Sequence, residues 1–300
     1  MNTKIGVVEV KWEELTFFEK SLLLGTLLGD GTIARTKSKS IPKKGLQYRE
    51  HFSVKQMEYR KWKLKVAPRI FSGIRIRKTE TSAELYSEKD ELFTWLWEQC
   101  YVDRKKHIPI HLLEDCTHPV FLLALYLDDG SLSLTKSSRS KLNQIILTPH
   151  IYLYLQAFYP EELEQLSTFI ARTFHHQFVL SKRSDGHFYT LRIQKTEEAI
   201  RFLNDFEPYA YAIPSMRKKL DWEYRLDLEK TKHPGLSVIV SKAKNDYTDK
   251  EIQFIIQAKQ NGMTDAKIAE TLNRTYWSVV YKWQDIKKNI LKEDSLLYTF

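Results

Sequence analysis

Two stretches of this chain end in the same way: Leu23-Leu24-Gly25-Thr26-Leu27-Leu28-Gly29-Asp30-Gly31 and Leu122-Leu123-Ala124-Leu125-Tyr126-Leu127-Asp128-Asp129-Gly130. Each reads as an apolar helix stopped by a carboxylate and a glycine. The glycine suits a helix C-terminus that turns left-handed. The aspartate does not suit it, because a negative charge there opposes the helix macrodipole. The chain makes that choice twice. Gly25 and Gly29 lie four apart, as do Ala124 and Asp128, so two such helices can pack with their backbones close. Side by side they would bring Asp30 and Asp129 together, and two carboxylates at short range favour a divalent cation.

The repeat extends beyond these helices. Asp30 to His51 spans the same distance as Asp129 to His150. A hairpin pattern follows in each half: Ile74 to Lys78 returning through Ala83 to Tyr86, and Phe178 to Arg183 turning at Ser184-Asp185-Gly186 into His187 to Ile193. Helical patterns at Lys89–Tyr101 and Thr196–Phe206 come next. An Ile-Pro pair with lysines closes each half, at Lys105-Lys106-His107-Ile108-Pro109 and Ile213-Pro214-Ser215-Met216-Arg217-Lys218-Lys219. The expected fold is α+β, an αββαββα unit repeated. Two pseudo-symmetric halves would pack through the motif helices, their curved antiparallel sheets forming a saddle.

Charge supports that surface. The net charge of +9 favours a polyanionic partner. Arg35, Lys37, Lys39, Lys43, Lys44 and Arg49 follow the first motif with no acidic residue among them, and Lys136, Arg139 and Lys141 follow the second. These, with Arg75, Arg77, Lys182 and Arg192, are the candidate contacts to such a partner, which charge alone leaves open among DNA, RNA and a membrane surface. Cys100 and Cys116 form neither a disulfide framework nor a zinc pattern, which predicts a reducing compartment. With no signal peptide or membrane-length apolar run, the expected location is soluble and intracellular: the cytoplasm or nucleoid of a bacterium or phage host, or an organelle.

The paired motifs resemble the LAGLIDADG homing endonucleases in their single-chain, two-motif form, over roughly Thr16 to Leu220. The resemblance implies that the last acidic residue of each motif, Asp30 and Asp129, binds catalytic Mg²⁺ or Mn²⁺, with Gly29 and Asp128 beside them in the metal set. The sixth motif position, often acidic in the family, is Leu28 and Leu127 here. The resemblance selects Lys106 and Lys219 as the lysines near the scissile phosphates, with Lys105 and Lys218 as adjacent rivals. It places His51 and His150 where the family has polar side chains in the water network around the metals. It implies a monomer cutting both strands of a long asymmetric DNA site. The alternatives are a maturase acting on host intron RNA, and a DNA-binding regulator on a degenerate nuclease fold.

A different pattern begins after the repeat. Thr248-Asp249-Lys250-Glu251 has capping-box spacing, and three helical segments end at Gly262, at Leu272 and near Asn289. This is a helix-turn-helix order, and Ser278, Tyr281 and Lys282 are expected on the exposed side of its last helix. From Asp246 onward there are eight basic and eight acidic residues, so this module is neutral. The expected domains are 1–112, 113–228, a linker at 229–246, and 247–300.

Overall fold

The computed structural model describes residues 10–34, 45–77, 80–182, 189–241 and 247–297, and they fall into two compact units divided after Ala243. In the first unit, α1 (Phe17–Leu28) starts at a capping box in which Thr16 and Glu19 satisfy one another's backbone amides. From Glu19 onward every residue of the helix is buried, as an apolar run with no polar stripe requires. The chain then runs through β1 (Gly31–Ala34), β2 (Leu46–Ser53), α2 (Met57–Val66), β3 (Gly73–Ile76), β4 (Ser82–Asp90) and α3 (Glu91–Cys100). The strands form an antiparallel sheet in the order β1-β2-β4-β3. A short ribbon, β5 (Tyr101–Val102) and β6 (Lys105–Lys106), and the single turn α4 (Ile110–Leu113) lead to the second half.

That half repeats the order with α5 (Val120–Asp129), β7 (Gly130–Arg139), β8 (Gln144–Leu153), α6 (Pro160–Phe174), β9 (Val179–Lys182), β10 (Tyr189–Ile193) and α7 (Thr196–Phe206). Three short helices follow: α8 (Tyr209–Ala212), α9 (Arg217–Leu220) and α10 (Trp222–Lys232). Residues 229–240, expected to be linker, are folded. Glu229 is buried in α10, and β11 (Ser237–Val240) joins the second sheet parallel to the start of β8. The turn at 184–186 lies outside the described residues.

Helices α1 and α5 pack against each other along one seam inside a common core. A Cβ on Gly25 would stand 2.5 Å from the Phe121 carbonyl oxygen, and one on Gly29 would stand 2.6 Å from the Asp128 Cβ. The small residues are therefore a steric requirement of the seam. The glycines after the aspartates act differently from expectation. Neither Gly31 nor Gly130 has a positive φ; each instead leaves room for an aromatic ring, Tyr48 and Tyr126 respectively. The chain leaves each helix straight into a strand, so no left-handed cap is needed.

In the second unit, α11 (Asp249–Gln260) begins at the Thr248–Glu251 capping box, followed by α12 (Asp265–Thr271) and α13 (Tyr276–Leu297). Ile255, Ala258, Ile268, Ala269, Val279 and Ile286 form its own small core. No described helix is long and apolar enough to cross a membrane.

Candidate active site

Asp30 follows the last turn of α1 and Asp129 closes α5, so both carboxylates stand where a helix presents its unpaired carbonyls. Burial, and then the nearby charge of Asp30, pushes Asp129 up to about 6. The charges of Lys106, Lys219 and Lys63 offset that rise only in part. Hard oxygen donors at the seam fit Mg²⁺, Mn²⁺ or Ca²⁺ rather than a softer metal.

Two lysines supply the positive charge that the helix ends lack. Lys106 Nζ donates to the carbonyls of Gly29 at 3.2 Å and Gly31 at 2.7 Å. Lys219 Nζ donates to the Leu127 carbonyl at 2.7 Å. Burial lowers both ammonium pKa values, and the surrounding aspartates push them back toward the charged form. The rivals Lys105 and Lys218 are exposed.

Beneath Asp30 lies a buried charge network that the sequence reading did not identify. Strand β2 alternates, with Tyr48, Glu50 and Phe52 inward. Glu50 accepts from the Tyr48 hydroxyl at 2.7 Å and from Lys63 Nζ at 3.0 Å, and lies 2.5 Å from Arg60 Nε. Lys63 also donates to both oxygens of Asp128 at 3.1 Å, and Arg60 Nη2 donates to Asp30 at 2.6 Å. The side chains of Arg60, Lys63, Glu50 and Asp128 have no exposed surface. Burial alone would raise Glu50, but Lys63 and Arg60 outweigh it and hold the carboxyl below its ordinary range. Burial raises Asp128 to about 7, with Lys63 only partly offsetting it. Three carboxylates thus face two cations.

The network bears on the expected metal ligands. Asp30, Glu50 and Asp128 offer oxygens within 4.8 Å of one another, close enough for one ion. Arg60 and Lys63 already occupy that role, so the trio is an ion-pair cluster. Of the four expected metal donors, the Gly29 carbonyl accepts from Lys106, the Asp128 carboxylate from Lys63 and the Asp30 carboxylate from Arg60, while among the described residues no ion pair is formed by Asp129.

Register keeps the expected DNA contacts of the first sheet on one face and divides those of the second between its two faces. On the first sheet, Arg49, His51, Arg75 and Arg77 cluster on the outward face around Glu84, which lies 3.5 Å from Arg49 and 3.8 Å from His51. On the second, Arg139, His150 and Arg192 share the outward face by register. Lys136 does not: it pairs with Leu147 on the opposite face and forms an ion pair with Glu229. Lys182 shares the face of Leu180 and Leu191, away from Arg192. Arg35, Lys37, Lys39, Lys43 and Lys44 lie outside the described residues, as does the side chain of Lys141.

The two histidines are not structural equivalents. Gly31 pairs with Glu50, but Gly130 pairs with Leu153, so the second hairpin is longer. His150 sits opposite Ser133, and by the same count its counterpart in the first half is Gln47, opposite Ala34. His51 is half-exposed, with Arg77 Nη2 2.9 Å from its Nδ1. Burial, and then Arg192, lowers the pKa of His150. Of the three C-terminal residues expected on the surface, Tyr281 is exposed and Ser278 and Lys282 are half-buried. Ser278 bonds the Tyr247 hydroxyl at 3.0 Å, and Lys282 lies over the Tyr247 ring.

The model of the LAGLIDADG DNA endonuclease family matches residues 20–200, and the chain belongs to that family. Among solved structures it is similar to the homing endonuclease I-WcaI bound to its DNA recognition sequence, at 18% identity, covering 69% of this chain and 87% of that one, with a TM-score of 0.48. It is also similar to I-SmaMI bound to uncleaved DNA target in the presence of calcium ions, at 11% identity, covering 85% and 99%, with a TM-score of 0.44. No curated protein sequence matches it.

Proposed function

We propose that this chain is a metal-dependent, site-specific endonuclease that cuts double-stranded DNA, acting as a monomer with its two halves serving the two strands. The observation that carries this reading is the pairing of each seam-helix end with a half-buried lysine, Lys106 Nζ on the Gly31 carbonyl beside Asp30 and Lys219 Nζ on the Leu127 carbonyl in the last turn before Asp129, both at 2.7 Å. Mg²⁺ or Mn²⁺ held by these carboxylates would supply a nucleophilic water and stabilise the leaving oxygen. The chain's own groups do the rest. Lys106 and Lys219 put positive charge beside each helix end, where negative charge grows on a phosphate under attack. Arg49, Arg75, Arg77, Arg139 and Arg192 face outward and would bind the backbone on either side.

Incubation with a plasmid library carrying randomised sites and Mg²⁺ tests the reading. Linear product is expected from the wild type, with Asp30→Asn slower by ~100-fold or more, the scale of losing one preorganised charge-stabilising group. DNA binding with no cutting in either protein would replace this reading with a regulator.

A further inference from the structure

The two halves share an element order, but among the described residues only Asp30 of the two motif-closing aspartates forms an ion pair, with Arg60 of the first half. Opposite Gly31 the strand carries Glu50, whereas opposite Gly130 it carries Leu153. Helix α2 supplies Arg60 and Lys63 on one face, while α6 turns Leu163, Leu166, Phe169 and Ile170 inward. The result is an unequal centre. Arg60 Nη2 lies 2.6 Å from Asp30, and its guanidinium is fixed from behind by Glu50 and by the ring faces of Phe52 and Tyr59 at 5.1 and 4.7 Å. Among the described residues, no basic side chain forms an ion pair with Asp129. Lys106 and Lys219 each bond carbonyls in their own half, and the charge of each acts on both Asp30 and Asp129.

We propose that Arg60 is a positioning residue that holds the Asp30 side of the centre with its own positive charge, so that the two half-sites load divalent cation unequally, the Asp129 side first. The proposal rests on the two-aspartate reading above. A cation arriving at Asp129 meets a carboxylate on which the charges of Lys106, Lys219 and Lys63 act, but which among the described residues has no direct ion-pair partner. One arriving at Asp30 must share the carboxylate with a guanidinium that repels it and cannot move freely. The second strand's chemistry then waits on the weaker site.

Binding of Mn²⁺ to the full chain without DNA, followed by the free-ion electron paramagnetic resonance signal, tests this. The wild type should show two classes of site differing by about tenfold or more, the effect expected of one such pair. Asp30→Asn should keep the tight class and Asp129→Asn the weak one. Arg60→Met combined with Glu50→Gln, which removes one charge of each sign, should bring the two classes within about threefold, while Arg60→Lys keeps them apart. Equal sites in the wild type, the reverse assignment in the aspartate variants, or no saturable binding overturns the proposal. If the paired variant does not fold, the two aspartate variants decide it. A protein that loads Mn²⁺ in this order yet cuts no DNA refutes the nuclease reading and leaves this inference standing. Cutting by a protein with equal sites does the opposite.

Discussion

Asp129 and Asp128 make the metal-free protein sensitive to pH in an unusual direction. Both carboxyls are raised from an ordinary 3.8, to about 6 and about 7. The folded state therefore holds these protons more tightly than the unfolded chain, so folding is favoured at low pH and stability falls as pH rises through those values. In chelator, the melting temperature should drop between about pH 5 and pH 7, and Mg²⁺ should offset the drop at the upper end. A melting temperature that climbs over this range contradicts the assignment. Residue chemistry was legible where it repeated: Asp30 and Asp129 stood out because an unfavourable charge occurred twice at equivalent positions. Arg60 and Lys63 did not, because basic residues on an amphipathic helix usually face solvent. The readable clue was Glu50, an acid at the inward parity of Leu46, Tyr48 and Phe52 in an alternating strand.

At the scale of elements, the α1–α5 seam depends on backbone contact. Gly25→Ala places a methyl against the Phe121 carbonyl, which cannot swing aside as a side chain would. Overpacking of this kind costs about 1–3 kcal/mol, measurable by denaturant unfolding, and the shift should exceed that of Ala124→Gly in direction and size. A Gly25→Ala protein as stable as the wild type would show that the helices are further apart than described. Hairpin register marks the limit of sequence spacing. The interval from aspartate to histidine is identical in the two halves, yet β7 and β8 pair further along than β1 and β2. The histidines therefore land at different heights on their sheets. Equal spacing gives equal placement only when the intervening turn has the same length, and the turn is the part least fixed by pattern. Strand parity likewise turned Lys136 to the inner face, where Glu229 from a later helix meets it.

At the scale of the whole molecule, the described residues form two separate cores, and the division between the units falls after Ala243. His233-Pro234-Gly235 looks like a break, but β11 beyond it completes the second sheet. A fragment ending at Ala243 should unfold cooperatively with a midpoint near that of the first unit in the full chain. One ending at Leu228 loses β11 and Glu229, orphans Lys136, and should unfold at clearly lower denaturant. Equal midpoints for the two fragments would mean that α10 and β11 add nothing to the fold. The repeat, the motif helices and the neutral helical module were all readable because each follows a strong local period. The addition of β11 was not, since a parallel edge strand depends on a partner more than ninety residues earlier.

Anomalous diffraction from crystals grown with Mn²⁺ tests the central claim most directly. Density for the ion beside the carboxylates of Asp30 and Asp129, at the seam between α1 and α5, is the predicted result. A peak among Asp30, Glu50 and Asp128 with Arg60 expelled, or aspartates that bind no ion at all, would contradict it.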